Sequence, residues 1–240
     1  MSSPSVHGAT DGTPETSLQQ KRTPRQEKHQ QPQKIRNILD AVQRYNLTNS
    51  SDTDLTGKMT RLKIKWSSLV IDEALPEVFA ILREVISRRL GIWQIFEPEF
   101  DRSTLPASLQ ACWKSNETVS LNEDQQTIAD TLLSVNLESR ISRPWDISLP
   151  AELYQAVRRG DPSGILNFQV TTEQLLAGLH LYRGNIVQMN AGEGKTVAGI
   201  FPAVLHAIDG IAVHVVTAND YLAARDADLL APVYRFLGFT

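Results

Sequence analysis

The chain has 240 residues, 41 % of them hydrophobic, and a formal net charge of −3 at pH 7. This length and composition fit one or two globular domains, whereas the acidic balance argues against a protein built to hold nucleic-acid phosphates. A single cysteine, Cys112, excludes a disulfide within the chain and suits a reducing compartment; we expect it to be a small buried side chain beside Trp113.

Residues 1–33 are predicted to be a disordered N-terminal tail, because they are rich in Ser, Thr, Gln, Pro and Lys and contain almost no large apolar side chain. They lack the continuous apolar core of a secretory signal, and no apolar run in the sequence is long enough to span a membrane. The pattern then becomes helical, with apolar side chains at Ile35, Ile38, Leu39 and Val42.

The segment "LPEVFAILREVISRRLG", residues 75–91, predicts the clearest early helix. Pro76 suits a first turn, apolar residues recur on one face, and Gly91 marks the end of the helix. We expect Arg88 and Arg89 to be solvated in the last turn, where positive charge also suits the helix dipole. The polar stretch "TNSSDTD", which comes earlier, predicts the N-terminal cap of another helix.

Residues 92–170 combine irregular stretches with two helical patterns. We expect most of this region to be helical, with helices in "LNEDQQTIADTLLSVNLES" and "LPAELYQAVRRG". Its aromatic residues are either anchors for a docking partner or ordinary core side chains: Trp93, Phe96, Phe100 and Trp113.

Residues 171–240 have the most regular pattern, in which helices alternate with short apolar runs. "TTEQLLAGLHLYRG" predicts a helix, "NIVQM" a buried strand and "KTVAGIFPAVLHAI" a helix bent by Pro202. "IAVHVVT" predicts a strand buried on both faces, and "NDYLAARDADLLAPVYRFLGFT" predicts a last helix. This order of elements predicts an α/β fold with a parallel sheet.

The loop "NAGEGKT", between the first of these strands and its helix, has the residue types of a phosphate-binding loop. Gly192 and Gly194 leave backbone N–H groups accessible, Lys195 can reach the β- and γ-phosphates of a nucleotide, and the Thr196 hydroxyl can hold Mg²⁺. The usual motif begins with Gly, and here Met189 stands in that place.

The segments "QLLAGLHLYRGNIVQMNAGEGKTVAGIFPAVLHAI" and "VHVVTANDYLAARDADLLAPVYRFLGFT" resemble the N-terminal part of the first motor domain of the SecA preprotein translocase ATPase family. The helix at 75–91 resembles the helix that precedes this part in the family. The resemblance implies an incomplete DEAD-like P-loop NTPase sheet that follows an α-helical region and a disordered N-terminus. It divides the chain into a tail (1–33), a helical segment (34–91), a family-atypical and mostly helical insertion (92–170) and the start of the ATP-binding domain (171–240).

The resemblance also implies roles for individual residues. Gln174 would read the adenine edge through its amide, and Arg225 would either face the nucleotide cleft or be an ordinary surface arginine. Lys195 would be catalytic and Thr196 would hold the metal, so ATP and Mg²⁺ are the implied cofactors. The phosphate loop as a whole would consist of Gly192, Glu193, Gly194, Lys195 and Thr196.

The chain departs from the family pattern in places. Ala191 stands where the family usually has Thr, Ala177 where it usually has Gly, and the family passes from the 75–91 helix to the adenine glutamine in far fewer residues. ATP hydrolysis also needs an acidic pair on a later strand and an arginine, which lie downstream in the family. We therefore expect a truncated N-terminal piece that binds ATP weakly and does not hydrolyse it.

Three functions remain open at this point. The chain is a segment of a SecA-like motor that couples ATP hydrolysis to protein translocation, with a preprotein and a membrane translocon as partners, in the cytoplasm or peripherally at a membrane. Alternatively, it is a non-catalytic interaction or regulatory module in which 92–170 is the docking surface. The third function is a nucleic-acid motor of the related helicase class, and the acidic charge and "TANDYLAARDA" argue against it. We expect no nucleic-acid partner.

Overall fold

The structure is a computed structural model, and the residues that it describes are 24–96, 100–113, 120–138, 148–161, 164, 166 and 168–239. In chain order, helices α1 to α10 of this described part are Pro24–Arg44, Asp52–Lys65, Ile71–Ile86, Ala107–Gln110, Glu123–Glu138, Ala151–Gly160, Thr172–Tyr182, Lys195–Ala198, Ile200–Ile208 and Asp220–Phe236. Helix α3 continues into a π turn, Ser87–Gly91, and a 3₁₀ turn, Ile92–Phe96. None of the helices described is both long enough and apolar enough to cross a bilayer.

The prediction of a parallel sheet is wrong, because the described ranges contain helices and irregular segments but no β-strand. The two runs predicted to be strands, 185–189 and 211–217, do not pair with each other. They are not buried either, since Ile186 is fully exposed and Val216 is 90 % exposed. β-branched residues favour a strand, but a strand forms only where a neighbouring segment accepts and donates its backbone hydrogen bonds.

Several predicted helices are confirmed, although their ends differ. Ser51 forms a capping box with Asp54 at the start of α2, as the polar stretch before it predicts. Helix α1 begins at Pro24 and so includes part of the predicted tail, whose sequence here is rich in the good helix former Gln. Residues 1–23 lie outside the described part of the chain. Helix α3 begins at Ile71, which places Pro76 inside the helix.

The larger hydrophobic core surrounds α3. Phe79 of α3 stacks on Phe201 of α9 with 4.8 Å between ring centroids. Helix α7 crosses α9 at Gly178, where a Cβ would lie 2.7 Å from the Cβ of Phe201. Pro202 has no N–H to donate to the carbonyl of Ala198, and the helix that the sequence predicts to be bent by Pro202 is instead divided at Gly199 into α8 and α9. Helix α1 adds the apolar face predicted from its spacing, which consists of Ile35, Ile38, Leu39 and Val42.

The prediction that Arg88 and Arg89 are solvated is wrong, since both side chains lie inside the protein, 0 % and 3 % exposed. Asp52 at the start of α2 is also buried, and its carboxylate accepts hydrogen bonds from Arg88 Nη1 at 2.9 Å and Arg89 Nη2 at 3.0 Å. The same carboxylate accepts from the backbone N–H of Leu149 at 3.0 Å and the hydroxyl of Tyr154 at 2.9 Å. We call these five residues the Asp52 cluster.

Residues from the 92–170 region build a second, smaller core. Helices α5 and α6 confirm the two predicted helices of this region and pack on each other. Trp93 is buried under the guanidinium of Arg89, 4.4 Å from its ring centroid, and Phe100 packs against the same core, so neither is an exposed docking anchor. The side chains of Phe96 and Trp113 lie outside the described residues. Cys112 is buried, as its sequence context predicts.

Candidate functional site

The glycine-rich loop, residues 189–195, joins the irregular segment after α7 to the short helix α8. Gly192 and Gly194 both have positive φ, 85° and 77°, a conformation that other residues adopt only with strain. At Gly194 there is a second requirement, because a Cβ would overlap the side-chain nitrogen of Gln174. At Gly192 a Cβ would meet no neighbour among the described atoms. The two glycines are therefore needed for different reasons.

Gln174 lies in the first turn of α7, and its side chain contacts the glycine-rich loop. Its side chain forms a capping box with Thr171: Oε1 accepts from the Thr171 N–H at 3.1 Å, and the Gln174 N–H donates to the Thr171 hydroxyl at 3.2 Å. Its Nε2 donates to the backbone carbonyl of Glu193 at 3.1 Å. Only 6 % of Gln174 is exposed. One amide therefore fixes the start of α7 and the position of the loop together.

The Lys195 side chain folds back over the loop that precedes it. Its Nζ donates to the carbonyl of Asn190 at 2.7 Å and to that of Met189 at 3.3 Å, and the side chain is exposed. The carboxylate of Glu193 accepts from the backbone N–H and from the side-chain amide of Asn190, both at 2.7 Å. The loop is thus closed by its own side chains.

Hydrogen bonds from the side-chain amide and the backbone N–H of Asn190 lower the pKa of the Glu193 carboxyl below its ordinary value, and the positive charge of Lys195 acts in the same direction. Glu193 is therefore an anion at neutral pH and stays on Asn190. An anion that approaches the loop therefore meets the ammonium of Lys195 and the carboxylate of Glu193, which already accepts two hydrogen bonds from Asn190.

Thr196 is the second residue of α8 and is half-buried. Arg225 lies on α10, where Asn219 caps the helix through the N–H of Leu222 at 2.8 Å. The Arg225 guanidinium is exposed and pairs with Asp226 at 2.7 Å. Within the described ranges Gln174 contacts the loop at Glu193 and Gly194, and Lys195 contacts it at Met189 and Asn190, whereas Arg225 makes no hydrogen bond to the loop.

Sequence reasoning missed two features of this arrangement, which are the role of Asn190 and the pairing of Thr171 with Gln174. Asn190 contacts both charged residues of the loop, and Thr171 completes the capping box with Gln174. The Thr-x-x-Gln spacing is a recognisable capping signal. For Asn190 the only signal is its place two residues before Gly192. No group of three or more His, Cys, Asp or Glu side chains in the described ranges could hold a metal ion.

Comparison with known proteins finds a family model and several relatives that match this chain. The family model for the SecA DEAD-like domain matches residues 107–240, which include both the loop and much of the 92–170 region. A protein translocase subunit SecA from Chromobacterium violaceum is 51 % identical over 77 residues, 32 % of this chain and 8 % of that protein.

Two further relatives bear the same name, protein translocase subunit SecA. The one from Prochlorococcus marinus is 38 % identical over 130 residues, 50 % of this chain and 14 % of that protein. The one from Clostridium botulinum is 56 % identical over 66 residues, 28 % of this chain and 8 % of that protein. The alignments therefore span a small part of each relative's length.

Proposed function

The chain belongs to the SecA DEAD-like domain family, and from this premise we propose that its glycine-rich loop and Gln174 bind ATP. The observation that carries the proposal is the hydrogen bond from the Gln174 amide to the Glu193 carbonyl, because the side chain that we propose reads adenine thereby lies beside the loop that we propose binds the phosphates. The two parts of a nucleotide would then meet residues that the protein already holds together.

The phosphates would bind at Lys195. Its exposed ammonium now rests on two backbone carbonyls, Met189 and Asn190, which are weak partners for a full positive charge. A phosphate offers negatively charged oxygens instead, so its hydrogen bonds with the ammonium gain the attraction between opposite charges. Gly192 and Gly194 keep side chains away from the backbone N–H groups that would face the same oxygens.

The adenine ring would bind at Gln174. A glutamine amide has two N–H donors and two acceptor lone pairs. Contacts with Thr171 and Glu193 use one of each, so one donor and one acceptor have no partner among the described residues. This pair matches the N7 acceptor and the N6 donor of adenine, the edge that Asn and Gln recognise in nucleic acids.

A bound Mg²⁺ would neutralise phosphate charge during phosphoryl transfer, and Thr196 in the first turn of α8 has a hydroxyl suited to hold it. Arg225 would have to leave Asp226 before it could reach a nucleotide. We assign the ATP-binding role to residues 171–240 and a supporting helical role to 34–91.

In the complete protein we propose that ATP use drives a polypeptide through a membrane translocon. This step rests on the relatives, which are named as protein translocase subunits and of which the alignments cover 8 % to 14 %. Preprotein and translocon are then the partners. The protein would work in the cytoplasm or at the membrane surface.

The test is a titration of the full chain with a fluorescent ATP analogue and Mg²⁺. Lys195→Ala should weaken binding roughly ten- to a hundredfold, since losing a hydrogen bond to a charged group costs about 1.5–3 kcal/mol, and Gln174→Ala should also weaken it. Lys65→Ala, which removes an exposed lysine of α2, is the control and should bind like the wild type. A folded wild type that does not bind, or a Lys195→Ala variant that binds equally well, would exclude this function.

A further inference from the structure

A polar pocket of about 460 Å³ opens between the end of α1, helices α3 and α6, and the segment that leads into α7. Its wall contains Arg83 and Glu84 of α3, Arg158 of α6, and Gln169 just before α7. No residue of the glycine-rich loop is part of this wall, as far as the described residues show. The pocket is therefore separate from the proposed ATP site, and its volume suits a small molecule.

Arg83 contributes a positive charge that forms no ion pair with a carboxylate of the described residues. Its guanidinium donates to the side-chain carbonyl of Gln43 at 3.0 Å and to the backbone carbonyl of Tyr45 at 2.8 Å, both neutral acceptors. No carboxylate of the described residues is within ion-pair distance of it. Burial lowers the pKa of Arg83, although the negative charge of the nearby Glu84 acts in the opposite direction. An anion in the pocket would further offset the effect of burial on this cation.

Arg158 contributes an unused donor. Its Nη2 donates to Glu84 Oε1 at 3.0 Å and to the Ser87 hydroxyl at 3.2 Å. Its Nη1 is buried and has no hydrogen-bond acceptor among the described residues. A buried donor without an acceptor costs free energy, so native proteins leave few of them. A ligand oxygen in the pocket would supply this acceptor once the Arg158 guanidinium turns toward it.

The charged residues of the wall carry more positive than negative charge. Arg83 and Arg158 face a single carboxylate, Glu84, and that carboxylate also pairs with Arg88 behind the wall. An anion that enters the pocket would therefore meet two guanidinium groups that share one carboxylate. Arg also binds phosphate oxygens through two N–H groups at once.

We propose that this pocket binds a small phosphate monoester through Arg83 and Arg158. The rest of the wall fits the organic part of such a molecule, because Asn46, Thr48 and Gln169 offer amide and hydroxyl groups to its polar substituents. The phosphate belongs either to a free metabolite or to a lipid headgroup, which share this chemistry.

The test is calorimetric titration of the full chain with inorganic phosphate and with glycerol 3-phosphate. Lys195→Ala serves as the background, so that phosphate binding at the glycine-rich loop does not contribute. Arg158→Gln and Arg83→Gln should each weaken binding about ten- to a hundredfold. Arg159→Gln is the matched control, because Arg159 follows Arg158 in α6 but pairs with Asp124 at the surface, and it should leave binding unchanged.

Each outcome decides the question. Binding that survives Lys195→Ala and is lost in the two pocket variants supports the proposal, and binding to vesicles with phosphatidic acid in place of glycerol 3-phosphate, with the same arginine dependence, identifies a lipid headgroup. No binding, or equal losses in all three arginine variants, overturns it. Binding that vanishes with Lys195→Ala also overturns it and assigns the phosphate to the loop. Circular dichroism checks folding, and Arg83→Gln decides if Arg158→Gln does not fold.

Discussion

The side-chain nitrogen of Gln174 lies 3.1 Å from the carbonyl oxygen of Glu193, and this hydrogen bond ties α7 to the glycine-rich loop. It passes beside Gly194, where any side chain would overlap the same nitrogen. The conformation of the loop and the position of the glutamine are therefore interdependent, and a change at either residue acts on both.

Gly194→Ala should damage the loop more than Gly192→Ala. Both positions have positive φ, which costs an ordinary residue about 1–2 kcal/mol, but only at Gly194 does the added Cβ overlap Gln174. We expect Gly192→Ala to lose only the backbone term and Gly194→Ala to lose the Gln174–Glu193 hydrogen bond as well. Thermal denaturation and ATP titration measure both effects. Equal losses in the two variants would contradict the overlap.

Gly91→Ala should destabilise the protein, whereas Gly57→Ala should stabilise it. At Gly91 a Cβ would overlap the backbone carbonyl of Leu166 and lie 2.9 Å from the N of Phe168, and backbone atoms cannot rotate away. We expect a loss of about 3 kcal/mol. Gly57 lies inside α2 with no neighbour within 4 Å, so alanine there should add about 0.5–1 kcal/mol. Urea denaturation gives both values, and a Gly91→Ala variant as stable as the wild type would show that the segment moves freely.

Asp52→Asn should be among the most damaging polar substitutions. It removes the charge that balances the buried guanidinium groups of Arg88 and Arg89, and breaking a buried pair costs about 3–5 kcal/mol. The control is Asp72→Asn, because Asp72 is half exposed and pairs with Arg183 at the surface. An exposed pair contributes at most about 1 kcal/mol. Chemical denaturation of the two variants should differ accordingly, and similar losses would mean that the Asp52 cluster is hydrated.

Cys112 should react slowly with thiol reagents in the folded protein. Burial raises the pKa of its thiol to about 11, and only the thiolate reacts. The raised pKa means that its stabilising contribution is complete below pH 9 and is lost as the pH rises from about 9 to about 11, because the unfolded thiol ionises first. Because the chain has one cysteine, alkylation with iodoacetamide followed by mass spectrometry is a clean readout. Rapid labelling at pH 8 without denaturant would contradict the burial.

The helices could be predicted because their signals are local. The capping residues Ser51 and Thr171 and the apolar spacing of α1 and α5 lie within a few positions of the helices that they define. The same locality explains the failure at Arg88, whose partner Asp52 lies 36 positions earlier in the chain. A basic helix end gives no sign of a carboxylate that arrives from elsewhere in the fold.

The candidate site could be predicted only in part. The residue types in "GEGKT" pointed to Lys195 and Thr196, and their roles remain predictions. The contact of Gln174 with Glu193 depends on how α7 packs against the loop, so the sequence carries no pattern for it. The strand predictions failed for a related reason. β-branched residues favour an extended backbone, but whether another segment lies beside it to pair depends on the tertiary fold, which the local sequence does not specify.

The Asp52 cluster also bears on the order in which the chain folds. Asp52 accepts hydrogen bonds from Leu149 and Tyr154, which follow it by 97 and 102 positions. Contacts between such distant positions form slowly, since a long loop must close before they contribute. Until then the Asp52 carboxylate has to keep its water, because burying an incompletely paired charge is costly. We therefore expect residues 148–161 to dock, and the Asp52 carboxylate to lose its hydration water, in one cooperative and late step of folding.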